Sequence, residues 1–467
     1  MVFMVTALVA TVGLGGAVVY ELGRAHPALT LRQTGAVGSA ETAADNGAAV
    51  PGDATAVTGA ATVQAGATAA RSGVAASGAP GAATNSGRTA ANNIKTQGGT
   101  QAVTGKVVTV GGIYDETGPV DATVERDTVR AYFNKVNAAG GVNGHLLQLI
   151  DCDSKFNATD AANCTNKLLN DNHVFALVGS TSVNEDLAVK PANDAGVPIV
   201  GGLGTPEEFK YPLSYPVSAN FVTYGTAMGN RASELKMTDV GLVVVNIPFI
   251  KTVEAELKRT LAAKGINVVN TQEVDATKAN YADVVLAFQQ AGAKSILAAL
   301  DPFSYQRLFQ SMQGASYKPP LLGLGLDKGS ANPNPQQPNK GYTKFVEGMH
   351  SLTPMLEPFD HQNDPAVRDY LDTVKKYFPN QVDPLDVYTE HAWAAAELFV
   401  DTLRRAGANP TQQSFVAALN QTKNFDAGLP SVKLSYSAGP SHDPNRCFWM
   451  LENKNVTWTT VSEPRCF

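Results

Sequence analysis

The chain predicts an α/β fold of two doubly wound parallel-sheet units in series. Three observations carry this. Short β-branched runs alternate with amphipathic stretches from Lys106 onward, glycines punctuate that alternation, and the pattern begins afresh near residue 220. Strict alternation of strand and helix favours parallel strands, because each return to the same end of a sheet needs a crossover helix.

In the first unit, Val107–Val110 is a β-branched run that stops at Gly111-Gly112. Residues 121–139 follow as a helix, with Val124, Val129, Tyr132, Phe133 and Val136 near a 3.6-residue period. Gly140 to Gly144 ends it. A strand at Leu146–Ile150, a helix at 159–171, a strand at Val174–Val178, a helix at 184–195 and a strand at Val197–Val200 complete the unit. The second unit reads as helix 224–236, strand Val240–Val245, helix 251–264, strand Asn267–Thr271, helix 280–291, strand Ser295–Leu300, helix 303–314 and strand Leu321–Leu324. A polar, Pro-rich loop at 328–340 separates it from long helices at 364–378 and 385–406. The end reads as a strand from Val432 and a Cys-bracketed hairpin, Cys447–Leu451 with Val456–Val461.

Ahead of this lie two segments of different character. Residues 1–29 contain an uncharged apolar run, Val2–Tyr20, about the ~20 residues a helix needs to cross a bilayer. It is either a signal-peptide core or an uncleaved membrane anchor, with a weak cleavage motif near Ala40. No basic stretch precedes it and no Cys follows it to carry a lipid. Residues 30–105 are rich in Ala, Gly and Thr and nearly devoid of large apolar side chains, so they cannot offset their ordering entropy. They read as a disordered linker.

A net charge of −6 argues against a nucleic-acid partner, which needs a basic face. Four cysteines admit three pairings. The spacing favours the short-range pairs Cys152–Cys164 and Cys447–Cys466 in an oxidising compartment; four free thiols in a cytosolic protein is the alternative. No zinc-finger spacing of Cys and His occurs, so neither a metal nor another cofactor is expected. The seven histidines are scattered, and no HExxH, GxSxG, P-loop or complete GxGxxG is present. Glu390-His391 are adjacent on a helix and do not face each other, and Glu207-Glu208 reads as a solvated helix start. The expectation is a binding protein and not an enzyme.

In an open α/β sheet, ligands bind beyond the carboxyl ends of the strands. The segments Gly179-Ser180-Thr181-Ser182 and Gly201–Thr205 follow two such ends. Glycines, hydroxyls and free N–H groups at helix starts suit an anion such as a carboxylate.

The block Asn137-Ala-Ala-Gly-Gly-Val-Asn-Gly144, followed by a strand and the acidic turn Asp151-Cys152-Asp153, resembles the type I solute-binding proteins of the branched-chain amino acid class, which serve ABC importers. Lys167–Gly179 and Ala195–Val200 are similar to later blocks of that family, and the likeness spans roughly 106–467. The resemblance implies two lobes joined by three crossovers, near 218–222, 346–352 and 425–432. Lobe 1 would comprise 106–219 plus 350–426, and lobe 2 would comprise 220–348 plus 428–467. It also implies a small amino acid-like ligand in the interlobe cleft, a permease partner and an extracytoplasmic location, with the N-terminal segment as a link to the membrane. By that likeness Ser180, Thr181, Ser182, Leu203 and Thr205 would hold the ligand's carboxylate. Phe249 and Phe303 would cover it, Asp301 or Asp327 would meet its ammonium, and Tyr388 would stand near the hinge. Many relatives carry Tyr-Gly where this chain has Pro248-Phe249-Ile250, so a more apolar acid, an amide or a peptide-like solute also stays open. A sensor or surface-interaction domain on the same fold is the alternative to transport, and a secreted hydrolase a third reading.

Overall fold

The computed structural model describes residues 95–467 except 328–341, 343, 359 and 382–384. The apolar run Val2–Tyr20 and most of the 30–105 linker lie outside the described residues. Among the described residues no helix is long and apolar enough to cross a membrane.

The first lobe is built by β1 (Val107–Tyr114), α1 (Thr123–Ala138), β2 (Leu146–Asp153), α2 (Ala158–Asn166), β3 (Leu177–Val178), α3 (Asp186–Ala195), β4 (Ile199–Val200) and β5 (Ser214–Tyr215). The second contains α4 (Phe221–Glu234), β6 (Val240–Val245), α5 (Ile250–Ala263), β7 (Val268–Val274), α6 (Ala282–Gln290), β8 (Ser295–Ala299), α7 (Pro302–Gly314), β9 (Leu321–Leu324) and β10 (His350–Thr353). The chain then returns to the first lobe with α8 (Pro365–Tyr377), α9 (Val387–Arg405) and α10 (Gln412–Leu419). It ends in the second lobe with β11 (Cys447–Lys454) and β12 (Thr457–Cys466).

The first sheet has the order β2-β1-β3-β4-β5 and is parallel throughout. The period of two along each strand divides its side chains between two cores. Val108, Val110, Val178 and Val200 face α1, α8, α9 and α10, whereas Ile113, Leu177 and Ile199 face α2 and α3. On the first face Trp393 of α9 packs edge-on to Tyr132 of α1 at 4.8 Å and to Tyr370 of α8 at 5.3 Å. The second sheet runs β12-β11-β10-β9-β8-β6-β7, with only the β10–β11 and β11–β12 pairs antiparallel. The central strand β6 is buried at every position, as its unbroken apolar run requires.

Several boundaries differ from the sequence reading. His350–Thr353 pair with β9 and β11, so they belong to the second lobe's sheet and not to the first lobe. Leu429, Leu434 and Tyr436 are buried in the first lobe's core, so the final crossing comes after Tyr436 rather than at 425–432. The strand expected from Val432 is reduced to one bridge, Phe425 with Leu434. The helix expected over 159–171 ends its regular turns at Asn166 and continues as a wider π-helical turn, Lys167–Asp171. The end of the linker is ordered: Gly99 N donates to Gly196 O at 2.7 Å, Val103 N donates to Pro410 O at 2.9 Å, and Ala102 bridges Thr411. Both expected disulfides are present, Cys152–Cys164 and Cys447–Cys466, the latter across directly opposed positions of β11 and β12.

The lobes meet through apolar side chains. Phe156, Val183 and Leu203, on loops of the first lobe, pack against the second lobe's core, and Tyr388 and Trp449 touch the cores of both.

Candidate functional site

The carboxyl ends of β1, β3 and β4 in one lobe and of β6, β8 and β9 in the other converge on a cavity of about 120 Å³. The N-terminus of α9 closes one side with Asp386 and Tyr388. Asp386 accepts hydrogen bonds from Tyr388 N (2.8 Å) and Thr389 N (3.1 Å), which sets Tyr388 at the first turn of the helix and aims it at the interlobe space.

Seven of the sequence-expected residues line this cavity: Thr181, Ser182, Leu203, Phe249, Asp301, Phe303 and Tyr388. Three do not. Ser180 Oγ accepts from Ile113 N at 3.2 Å and so continues the sheet. Thr205 is fully buried, and its Oγ1 donates to Glu208 Oε1 at 3.1 Å. Asp327, 3% exposed, accepts a hydrogen bond from Ser351 Oγ. Of the two candidate counter-charges, therefore, Asp301 lines the cavity and Asp327 is spent inside its own lobe.

The carboxylate cradle expected at 180–182 and 201–205 is occupied by the protein's own acids. Asp115, the residue after β1, accepts from Val183 N (2.8 Å) and Phe156 N (2.8 Å), and Ser154 Oγ lies 2.7 Å from its Oδ1. Glu185 Oε1 accepts from Leu203 N at 2.5 Å. Glu208 Oε1 accepts from Gly204 N at 2.8 Å and Thr205 N at 2.7 Å. These N–H groups, free on paper, thus have partners. Glu208 is 1% exposed and not the solvated helix start that its sequence context suggests. Burial, reinforced by the neighbouring Glu208, pushes the Glu185 carboxyl well above the usual range; burial also raises Glu208. Two buried carboxyls in contact with one turn share a proton more readily than they carry two charges. Gly202 lies between them, where a Cβ would collide with the Glu208 carboxylate.

Sequence reasoning missed Asp115, Glu125, Phe156, Val183, Phe221 and Asp386 as lining residues. Two of them had a visible signal, since Asp115 directly follows β1 and Asp386 precedes Tyr388 at a helix start. Phe156 had none: it reaches the second lobe from a left-handed turn (φ 58°) that Asp115 stabilises. Phe221 packs on Phe249 with ring centres 4.8 Å apart, giving the second lobe an aromatic wall.

Asp301 caps α7, with Oδ1 accepting from Phe303 N at 3.1 Å and Ser304 N at 2.9 Å. Its Oδ2 is buried without a hydrogen-bond partner, and burial raises its pKa. Among the described residues no group of three or more His, Cys, Asp or Glu is arranged to hold a metal. Glu390 and His391 are both buried within α9.

In fold the chain is similar to solved structures of binding proteins. One is a branched chain amino acid ABC transporter protein from Thermus thermophilus with bound valine, at 17% identity and TM-score 0.68, covering 77% of this chain and 97% of that one. Another is a solute binding protein of an ABC transporter from R. palustris in complex with benzoate, at 14% identity and TM-score 0.64, covering 77% and 98%. A third is a fatty acid ABC transporter substrate-binding protein from Thermomonospora curvata, at 17% identity and TM-score 0.66, covering 79% and 95%. At such identities the likeness is one of fold. A comparison with curated protein sequences gives no match. The sequence profile described as periplasmic binding protein matches residues 107–456, which takes in both lobes, and on that match the chain belongs to the periplasmic binding protein family.

Proposed function

We propose that this chain is an extracytoplasmic solute-binding protein that captures one small molecule between its lobes and presents it, unaltered, to an ABC-type permease. The observation that carries the reading is a cavity lined from both lobes at the carboxyl ends of their strands. A ligand held there touches the second lobe fully only when the lobes are closed, so binding favours the closed form by the energy of those added contacts. Thr181, Ser182 and Leu203 would contact the ligand from one side, and Phe249, Asp301 and Phe303 from the other, with Tyr388 at the junction. The two disulfides support an oxidising compartment. The apolar run Val2–Tyr20 would direct the chain across a membrane or hold it there.

The described neighbours carry valine, benzoate or, by name, fatty acids, so the fold is compatible with zwitterionic ligands and with carboxylates that have an apolar body. Most of the residues lining this cavity are apolar, which favours a ligand with a substantial apolar body. A thermal-shift screen of the full chain against amino acids, amides, amines, aromatic acids and short peptides tests the reading. A specific rise in melting temperature is expected for one chemical class. A folded protein that responds to none of a broad panel would favour a sensor or surface-interaction role on the same fold.

A further inference from the structure

We propose that the ligand is a cationic organic amine with a compact apolar body and no carboxylate, its ammonium meeting Asp301. The inference rests on the solute-binding reading and names the ligand class of that site.

Three observations combine. First, backbone donors of the two loops expected to receive a ligand carboxylate are already used. Val183 N goes to Asp115, Leu203 N to Glu185, and Gly204 N and Thr205 N to Glu208. A ligand carboxylate would have to displace internal carboxylates that are already buried and hydrogen-bonded. Second, the cavity wall includes the acids Asp115, Asp121, Glu125, Asp301 and Asp386, and none of its described lining residues is Lys, Arg or His. An anion brought into that wall would be desolvated among like charges, which is strongly unfavourable. Third, Asp301 lines the cavity and its Oδ2 lacks a hydrogen-bond partner, while its Oδ1 is committed to capping α7. Arg307 lies close enough to influence Asp301, but its Nη2 donates to Ala276 O at 2.6 Å and Ser304 Oγ at 2.9 Å, and Arg307 is not part of the cavity wall. An ammonium group supplies what Oδ2 lacks, a hydrogen-bond donor. The rings of Phe249, Phe303 and Tyr388 on the same wall offer faces for a cation and contact for an apolar body. A cavity of about 120 Å³ suits a body near the size of one aromatic ring.

The test is calorimetric titration of the full chain with three ring-matched probes: benzylamine, benzoate and phenylglycine. The expected result is that benzylamine binds at least about tenfold more tightly than either of the others. Asp301→Asn should then cut benzylamine affinity by about tenfold or more, because asparagine retains the helix cap and removes only the charge. An unchanged melting temperature of the ligand-free variant would verify that the fold is kept. Benzoate or phenylglycine binding as well as benzylamine would overturn the inference and leave the receptor reading intact. Binding of benzylamine unaffected by Asp301→Asn would overturn the assignment of the counter-charge. If none of the three binds, the inference falls, and the receptor reading is decided separately by the broad screen.

Discussion

Glu185 and Glu208 grip successive peptide groups of one turn: Glu185 Oε1 takes Leu203 N at 2.5 Å, and Glu208 Oε1 takes Gly204 N at 2.8 Å and Thr205 N at 2.7 Å. The turn that a ligand would touch through Leu203 is therefore held from behind by two buried acids.

A pH dependence follows. An unfolded glutamate ionises near ~4.3, and both buried carboxyls have folded-state pKa values above that. Above that pH the folded state binds more protons than the unfolded one, so stability falls as pH rises through the folded-state values. Asp186 and Glu397, the latter raised to about 7, are also shifted up by burial and add to the trend with the same sign. Glu185→Gln keeps an acceptor for Leu203 N and gains a donor toward Glu208. Calorimetric melting at pH 5, 6.5 and 8 should show a shallower decline in this variant than in the parent. Identical slopes would remove the pair as a contributor.

Gly202→Ala tests the same turn sterically. The added methyl would collide with Glu208 Oε2 and stand 3.1 Å from Glu185 Oε1, both ends of buried acids, at a backbone φ of 156°. A loss of about 1–3 kcal/mol in urea unfolding is expected, typical of overpacking a buried site. A neutral substitution would mean that the turn relaxes freely.

Tyr388 touches the cores of both lobes, and its hydroxyl is pushed by burial well above the usual tyrosine range. Tyr388→Ala should cost about 2 kcal/mol or more of unfolding free energy, whereas Tyr388→Phe, which keeps the ring, should lose less than half of that. Equal losses would assign the role to the hydroxyl rather than to the ring between the lobes.

The disulfides close loops of similar length, with sequence separations of 12 and 19. Constraint of the unfolded chain predicts nearly equal stabilisation, roughly 3 kcal/mol each. Paired serine variants, Cys152→Ser with Cys164→Ser and Cys447→Ser with Cys466→Ser, should each lower the melting temperature under oxidising conditions. Reductant should lower the parent's and leave the fourfold variant's unchanged.

Much of the secondary structure was legible because it is local. The period of two in β1, the period near 3.6 in α1 and the unbroken apolar run of β6 are written in neighbouring residues. The elements that escaped reading are short and held from outside. Ser214–Tyr215 is a strand because it pairs with β4, and His350–Thr353 because β9 and β11 flank it.

The site divides in the same way. Phe249, Asp301, Phe303 and Tyr388 could be named in advance because each follows a strand end or opens a helix. Ser180, Thr205 and Asp327 look equally suitable in sequence, but their partners are Ile113 N, Glu208 and Ser351, two of them from other strands. By itself the sequence determined the alternation of strands and helices, the two lobes and the end of each sheet at which the interlobe cavity lies. Only the tertiary structure decided that Asp115, Glu185 and Glu208 take up backbone N–H groups of the loops beside the cavity. A backbone N–H is free or satisfied according to what folds against it, and for Asp115 and Glu185 that contact joins residues 68 and 18 positions apart.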